Sequence, residues 1–379
     1  MEASRRHISL GDMSNSTSQP SPWLARGRGA VSNTSGRFEK LARERVHDGW
    51  LSDVSDASPK TEVQEEHAKH ILARNKSPDI PFDRSINPYR GCEHGCVYCF
   101  ARPTHAFMGL SPGLDFETKL FAKPNAAELL RQEIGKKGYQ VKPIAIGTNT
   151  DPYQPIEKDR RITREVLKVL YEHRHPVTIL TKSRLVVRDL DILVPMAEMG
   201  LVRVALSVTT LDRKLARVLE PRASTPTRRL DAIKLLSDAG VPVGMMFAPV
   251  IPALNDHEME TVLAASAHAG AKYANYILLR LPLELGGLFE EWLEEHYPDR
   301  KARVLNRLRD MRGGKVNDPR FKHRMKGKGL EAELMDQRFR NLCRRLKLNP
   351  EREALDVSQF RAPVLKGGQF NLFDTASAH

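Results

Sequence analysis

Three cysteines fall within eight residues, Cys92, Cys96 and Cys99, in the stretch Asn87-Pro-Tyr-Arg-Gly-Cys-Glu-His-Gly-Cys-Val-Tyr-Cys-Phe100. Their C-x3-C-x2-C spacing puts three thiolates on one short loop. Such a loop can hold three irons of a 4Fe–4S cluster and leave the fourth iron without a protein ligand, open for chemistry. A structural zinc is the competing reading, with His94 or His105 completing a four-ligand set. Zinc sites commonly pair two short arms from separate segments, and the sequence offers no second arm. A disulfide is disfavoured: the chain has four cysteines in 379 residues, and the remaining one, Cys343, lies far downstream. That density is far below that of disulfide-stapled secreted domains.

The elements that must position this loop follow from hydrophobic periodicity. Residues 1–60 are rich in Ser, Gly, Asn and Arg without apolar spacing and read as a flexible N-terminal arm, in which Gly27-Arg-Gly-Ala30 and 32–38 could pack as an extended strap. Short apolar strands are predicted at 85–89, 143–147, 176–181, 202–208, 241–248 and 273–281. Amphipathic helices are predicted between them, at 125–136, 162–173, 188–199, 227–238 and 257–269, several ending before a glycine. Six βα units with right-handed crossovers give an α/β fold, a partial TIM-like (βα)6 barrel over 61–285. An open α/β sandwich is the alternative. A basic helical extension follows over 286–379, with helical spacing at 289–297, 302–311 and 331–346 and a break at Gly313-Gly314.

Barrels of this kind carry their chemistry at the C-terminal ends of the strands. The first strand feeds the cysteine loop. The second ends in Gly147-Thr-Asn-Thr-Asp151-Pro-Tyr-Gln-Pro-Ile-Glu157, the third at Thr181-Lys182, and the fourth carries Ser207-Val-Thr209. Polar groups at four strand ends therefore converge on one mouth.

Composition narrows the class. With 40% hydrophobic residues the chain can bury a large core. No run approaches the ~18 apolar residues of a membrane span, and the first residues lack an apolar signal core, so a soluble, cytoplasmic protein without a membrane partner is expected. The net charge is +13, and residues 301–379 hold 19 Lys and Arg against 9 Asp and Glu. That tail is the expected dock for a nucleic acid or another polyanion, a solvated helical face being the plainer reading. Within it, Arg338, Arg340, Arg344 and Arg345 fall mostly along one side of a helix, and Cys343 between them reads as a buried helix cysteine or a redox-active thiol.

The three cysteines, with the aromatic Tyr98 before the last of them and six βα repeats after, resemble the radical S-adenosylmethionine (SAM) superfamily. The segment Thr150-Asp-Pro-Tyr-Gln-Pro-Ile-Glu157, Glu220-Pro-Arg222 with Arg228-Arg-Leu230, and Ala248-Pro-Val-Ile-Pro-Ala-Leu-Asn-Asp256 are similar to its spore photoproduct lyase-like group. The chain as a whole, from Arg26-Gly-Arg-Gly29 through the cysteine loop to Leu279-Arg-Leu-Pro-Leu-Glu284 and Phe370-Asn-Leu-Phe373, resembles an uncharacterised bacterial family of that superfamily.

The resemblance implies a 4Fe–4S cluster on Cys92, Cys96 and Cys99, binding of SAM, and a reducing partner such as flavodoxin or ferredoxin. It implies reductive cleavage of SAM to a 5′-deoxyadenosyl radical that abstracts hydrogen from a substrate, which charge and kinship suggest is a nucleic acid. It places Tyr98 by the adenine, Gly147, Thr148, Asn149, Thr150 and Asp151 on the side of the methionyl amino group, and Lys182 and Ser207 near the carboxylate and ribose. One departure stands out: aligning Asp151 puts Thr148 where the lyases carry a hydrogen-donating cysteine, and a threonine hydroxyl cannot quench a radical as a thiol does. Tyr98 and Tyr153 are the candidate donors in its place. The alternative from another class is a nucleic-acid-binding protein with a structural zinc or iron–sulfur site and no radical chemistry.

Overall fold

A computed structural model describes residues 27–39, 60–351 and 354–363. Its strands are β1 (Glu62–Glu65), β2 (Leu72–Arg74), β3 (Arg84–Ile86), β4 (Tyr89–Arg90), β5 (Lys119–Ala122), β6 (Ile144–Ile146), β7 (Val177–Thr181), β8 (Val202–Ser207), β9 (Val243–Val250) and β10 (Tyr273–Leu278). Its helices are α1 (Asp115–Thr118), α2 (Ala126–Ile134), α3 (Glu157–Arg160), α4 (Ile162–Glu172), α5 (Leu190–Glu198), α6 (Arg213–Leu219), α7 (Pro226–Asp238), α8 (Met259–His268), α9 (Leu285–His296), α10 (Pro298–Asp310), α11 (His323–Lys326) and α12 (Leu330–Arg345).

The larger sheet runs β10-β9-β8-β7-β6-β3-β2. Every pair from β3 to β10 is parallel, and β2 adds antiparallel at the edge. The six predicted strands correspond to these parallel strands, neighbours in chain order, with α2, α4, α5, α7 and α8 in the crossovers. This is the partial TIM-like barrel, open on one side because β3 and β10 do not pair. The helices bury the faces their spacing marked: in α4, Ile162, Val166, Leu167, Val169 and Leu170 are buried while Glu165 and Lys168 are exposed. Cutting one such buried leucine to alanine costs about 2–5 kcal/mol.

The predicted first strand, 85–89, divides into β3 and β4, which belong to different sheets. Pro88 brings no N–H to a ladder. The side chain of Asn87 instead accepts from the backbone N–H groups of Asn149 (3.1 Å) and Thr150 (3.4 Å), tying the first strand end to the second. β4 joins a small sheet, β1-β5-β4, that hydrophobic spacing did not reveal, since β1 is mostly exposed.

The C-terminal extension packs on the barrel. Phe289 and Trp292 of α9 stack with centroids 5.4 Å apart, and the indole N–H donates to the Val218 carbonyl at 3.1 Å. Arg312, fully enclosed, donates to the carbonyls of Leu278 (3.2 Å), Leu279 and Arg324 (3.3 Å). Arg324 in turn pairs with Asp79 (2.7 Å) in the turn between β2 and β3. Residues 312–324 therefore link the last parallel strand to the edge hairpin across the barrel's open side.

Part of the basic charge of this extension is ion-paired. Arg338 pairs with Glu260, Arg307 with Glu331 and with Asp256 (3.1 Å), and Arg340 with Asp336 (3.0 Å). Cys343 is buried, and burial pushes its thiol up to about 11, which leaves it protonated at neutral pH. Residues 364–379, including the Phe370-Asn-Leu-Phe373 motif, lie outside the described residues.

Candidate cluster and cofactor site

The cysteine loop follows β4 directly and is held from inside by one arginine. Two successive turns fold it: Gly95 N–H donates to the Cys92 carbonyl and Cys99 N–H to the Cys96 carbonyl, both at 3.2 Å. Arg102 lies at the centre with no exposed surface. Its Nε donates to the Cys96 carbonyl (2.9 Å), Nη1 to Gly113 (2.8 Å) and Pro112 (3.1 Å), and Nη2 to Gly95 (3.1 Å) and to the carboxylate of Glu117. All five donors of the guanidinium are thereby used.

Glu117 also accepts from the N–H groups of Gly29 (2.9 Å) and Ala30 (2.8 Å), so the segment 27–39 lies on the loop as a strap. Its approach requires glycine: a Cβ at Gly29 would sit 1.7 Å from the Gly95 oxygen. The remainder of the arm expected at 1–60 lies outside the described residues, apart from Lys60.

Cys92 and Cys96 are buried and Cys99 is half-buried. Burial raises all three thiols, Cys96 to about 12, against the opposing charge of Lys182; Asp151 and the other two thiols raise Cys92 further. The three sulfurs thus act on one another, and occupation by metal must displace their protons.

The second and third strand ends meet at Asp151. Thr181 Oγ1 donates to it at 2.7 Å, Lys182 N–H at 2.8 Å and Tyr153 N–H at 2.9 Å. His94 Nδ1 stands 3.3 Å from its other side, at ion-pair distance without hydrogen-bond alignment. Burial alone would raise this carboxyl, but His94 and the donors outweigh it and hold it at about 2. The turn beneath is set by Gly147, where φ is +88° and a Cβ would stand 2.0 Å from the Leu180 oxygen.

Lys182 carries the third strand end beside Tyr98, its ammonium 5.8 Å from the ring centroid. Burial opposes its charge, yet Cys96, Glu220 and Asp151 hold its pKa above the usual lysine value. Thr150 donates to the Tyr89 carbonyl at 3.0 Å. Thr148, Asn149, Lys182 and Ser207 keep their side-chain polar groups free of hydrogen bonds among the described residues.

Both tyrosine hydroxyls are committed elsewhere. Tyr98 donates to Glu220, which also takes Thr209 Oγ1 (2.6 Å) and the Arg229 guanidinium. Arg229 returns to the Ser207 carbonyl at 3.0 Å. Tyr153 donates to Asp189 at 3.0 Å, an aspartate already paired with Arg164 and Arg188, both at 2.8 Å. Both phenols thus point their O–H groups at buried carboxylates.

A groove of about 740 Å³ borders the loop at His94. Lys158, Arg184, Arg188, Arg222 and Arg228 line it, and no acidic side chain does. Arg188 and Arg222 are paired with Glu157 and Glu93, whereas Lys158, Arg184 and Arg228 have no ion pair among the described residues.

Comparison with known proteins decides what kind of loop this is. Residues 86–265 match the Radical SAM superfamily. Uncharacterised proteins of Mycobacterium bovis and Mycobacterium tuberculosis are 35% identical over 260 residues, covering 67% of this chain and 75% of theirs. The chain belongs to the radical SAM superfamily. An uncharacterised protein of Methanocaldococcus jannaschii is 28% identical over 248 residues, 65% of this chain and 88% of its own. Among solved structures, a spore photoproduct lyase variant with bound AdoMet and dinucleoside spore photoproduct superposes with a TM-score of 0.50 at 15% identity. It covers 75% of this chain and 79% of its own, and at that identity the likeness speaks for the fold.

Radical SAM membership implies a 4Fe–4S cluster and SAM. Among the described residues no group of three or more Cys, His, Asp or Glu is gathered as a single metal ion would need. The donor set fits the cluster: three thiols on one loop whose carbonyls are tied down by Arg102, flanked by Asp151 and Lys182, with unoccupied polar groups at the neighbouring strand ends. No helix of the described residues is long and apolar enough to cross a membrane.

Sequence reasoning placed the cysteines, Asp151 and Lys182 but missed Asn87, Arg102, Glu117 and the roles of Glu220 and Arg229. The Glu220-Pro-Arg222 and Arg228-Arg-Leu230 motifs were the only signals for the last two. Nothing in the sequence pairs Tyr98 with a carboxylate 122 positions away.

Proposed function

We propose that this protein is a radical SAM enzyme that abstracts hydrogen from an anionic substrate. Cys92, Cys96 and Cys99 would hold the cluster, and Gly147, Thr148, Asn149, Thr150, Asp151, Lys182 and Ser207 would receive SAM over the Tyr98 ring. When bound, the cluster supplies the electron that cleaves the SAM sulfonium to methionine and a 5′-deoxyadenosyl radical. The residues of this chain supply position: Asp151, ionised and pinned by three donors, suits the methionyl ammonium, and Lys182 suits its carboxylate. The Tyr98–Glu220–Arg229–Ser207 network fixes the ring and the fourth strand end in one frame.

The observation that carries this reading is the convergence of three mutually interacting thiols with Asp151 and Lys182 at the C-terminal rim of a parallel barrel. Flavodoxin or ferredoxin would be the reductant. The fate of the substrate radical differs from that in the lyases, since Thr148 has no thiol and both candidate tyrosines are engaged. The basic groove beside His94, which no acidic side chain lines, is the place for a nucleic acid or other polyanion ahead of the tail, where Arg307, Arg338 and Arg340 are ion-paired.

Two experiments test the proposal. After anaerobic reconstitution with iron and sulfide, the protein with dithionite and SAM should release 5′-deoxyadenosine; no release defeats the radical reading in favour of a structural metal site. Binding of a fluorescent single-stranded oligonucleotide should weaken with rising salt and with Arg184→Glu/Arg228→Glu, and change little with Arg340→Glu/Arg344→Glu. The reverse order returns the dock to the tail.

A further inference from the structure

Arg280 lies two residues past the C-terminal end of β10, inside the segment Leu279-Arg-Leu-Pro-Leu-Glu284, to which the proposed chemistry assigns no part. The side chain is half-buried, and its Nε is enclosed without any hydrogen-bond partner. Its one hydrogen-bond contact among the described residues is Nη1 on Met325 Sδ at 3.5 Å, a weak acceptor. No carboxylate of the described residues stands within ion-pair distance.

The surroundings deepen this deficit. Arg312 and Arg324 are close enough for their charges to be felt. The opposing charge is Asp79, and Arg324 and Ser77 already hold that carboxylate. Arg312 has its donors on the carbonyls of Leu278, Leu279 and Arg324 and can lend field but no further contact. Leaving a cationic fork partly desolvated with unfilled donors is costly, whereas Arg102, Arg229 and Arg312 of this fold each bond several carbonyls or carboxylates. An arriving oxyanion would meet the N–H groups of Nη2 and the second N–H of Nη1, adjacent donors in the planar arrangement that binds carboxylate or phosphate in two-pronged fashion.

Location ties the group to the chemistry. The guanidinium carbon is 5.2 Å from the ring centroid of Phe100, the residue directly after Cys99, and Phe100 remains 45% exposed. Nη2, which is not enclosed as Nε is, therefore stands at the rim of the barrel beside the cysteine loop.

We propose that Arg280 is the receptor for an oxyanion of the substrate, a phosphate or a carboxylate, gripped at the end of the sixth parallel strand beside the cysteine loop. The proposal rests on the radical reading of that loop and adds the point at which substrate is held.

The test titrates inorganic phosphate, pyrophosphate and acetate, at ionic strength held constant with chloride, into the full-length protein while following its thermal unfolding. The wild-type Tm should rise saturably with at least one of these anions, and whether the phosphates or acetate act at lower concentration tells which oxyanion the site prefers. The apparent Kd should weaken about 10–100-fold in Arg280→Gln, the loss expected for hydrogen bonds between charged groups, and less in Arg280→Lys. A wild-type response without saturation, or an Arg280→Gln response equal to wild type, overturns the proposal; if Arg280→Gln does not fold, Arg280→Lys decides by the same comparison.

Equilibrium dialysis of SAM on the reconstituted protein separates the two sources of anion. Equal SAM affinity in wild type and Arg280→Gln supports a substrate site. Weakened SAM binding with an unchanged phosphate response gives Arg280 to the SAM carboxylate and defeats the proposal. Failure of the wild type to form 5′-deoxyadenosine sinks the radical reading separately, since the anion titration needs no cluster.

Discussion

Gly29→Ala would lift the strap from the cysteine loop. The new methyl carbon would fall 1.7 Å from the Gly95 oxygen and 2.9 Å from its carbonyl carbon, both backbone atoms that Arg102 holds in place. The strap must move, and with it go the bonds from Gly29 and Ala30 N–H to Glu117. Each is a hydrogen bond to a charged acceptor worth about 1.5–3 kcal/mol, so docking weakens by roughly 3–6 kcal/mol. Glu117 keeps its pair with Arg102, which leaves the loop itself folded. Hydrogen exchange read at the Gly29 and Ala30 amides should accelerate by about 100-fold or more, with trypsin cutting after Arg28 at a matching rate, while the amides of β6 to β9 stay protected. Wild-type protection at those two amides in the variant would refute the reasoning. So would simultaneous loss of protection in the sheet, which would make the strap part of the global unfolding unit.

Other outcomes follow from the same contacts. Glu220→Gln removes the counter-charge of the enclosed Arg229 and should cost about 3–5 kcal/mol in urea unfolding, whereas Glu294→Gln on the surface should change the midpoint little. Asp151, held at about 2 against ~3.9 when unfolded, contributes stability that is present above pH ~4 and lost as pH falls toward 2. The term amounts to about 2 kcal/mol, and Asp151→Asn should flatten that acid limb; an unchanged limb would count against the ionised carboxylate. Alanine at Cys92, Cys96 or Cys99 should each abolish iron retention and 5′-deoxyadenosine formation, while Cys343→Ala leaves both intact and alters only thermal stability.

The sequence made the barrel readable because its strands are short and largely apolar and its helices repeat with one apolar stripe, as α4 shows. The cysteine loop was readable because three thiols at that spacing have few uses. What stayed hidden were partnerships set by the folded chain. Arg102, Glu117 and Gly29 are separated by up to 88 positions, and their meeting depends on how the loop turns back on α1. The charge balance of the C-terminal extension also needed the fold: a count of 19 basic residues does not show that Arg307 and Arg338 face carboxylates on neighbouring helices and Arg340 one on its own helix. The basic groove went unnoticed because Lys158, Arg184 and Arg228 come from α3, the segment after β7 and α7, far apart in the sequence.

The N-terminal strap and the start of the C-terminal extension meet beside the barrel. The strap reaches from the cysteine loop to the extension: Ser32 donates to Glu291 of α9 at 2.6 Å, and Arg37 pairs with Glu284 just before α9 at 2.7 Å. The extension then returns to the edge hairpin through Arg324 and Asp79. A barrel closed by hydrogen bonds along its own strands would need neither segment, but β3 and β10 do not pair, and these polar links span that side instead. They are few, partly exposed and individually weak, so this side is where the fold can open at least cost. Arg280 lies two residues past the end of β10, beside that side, so the anion proposed to bind it would approach there.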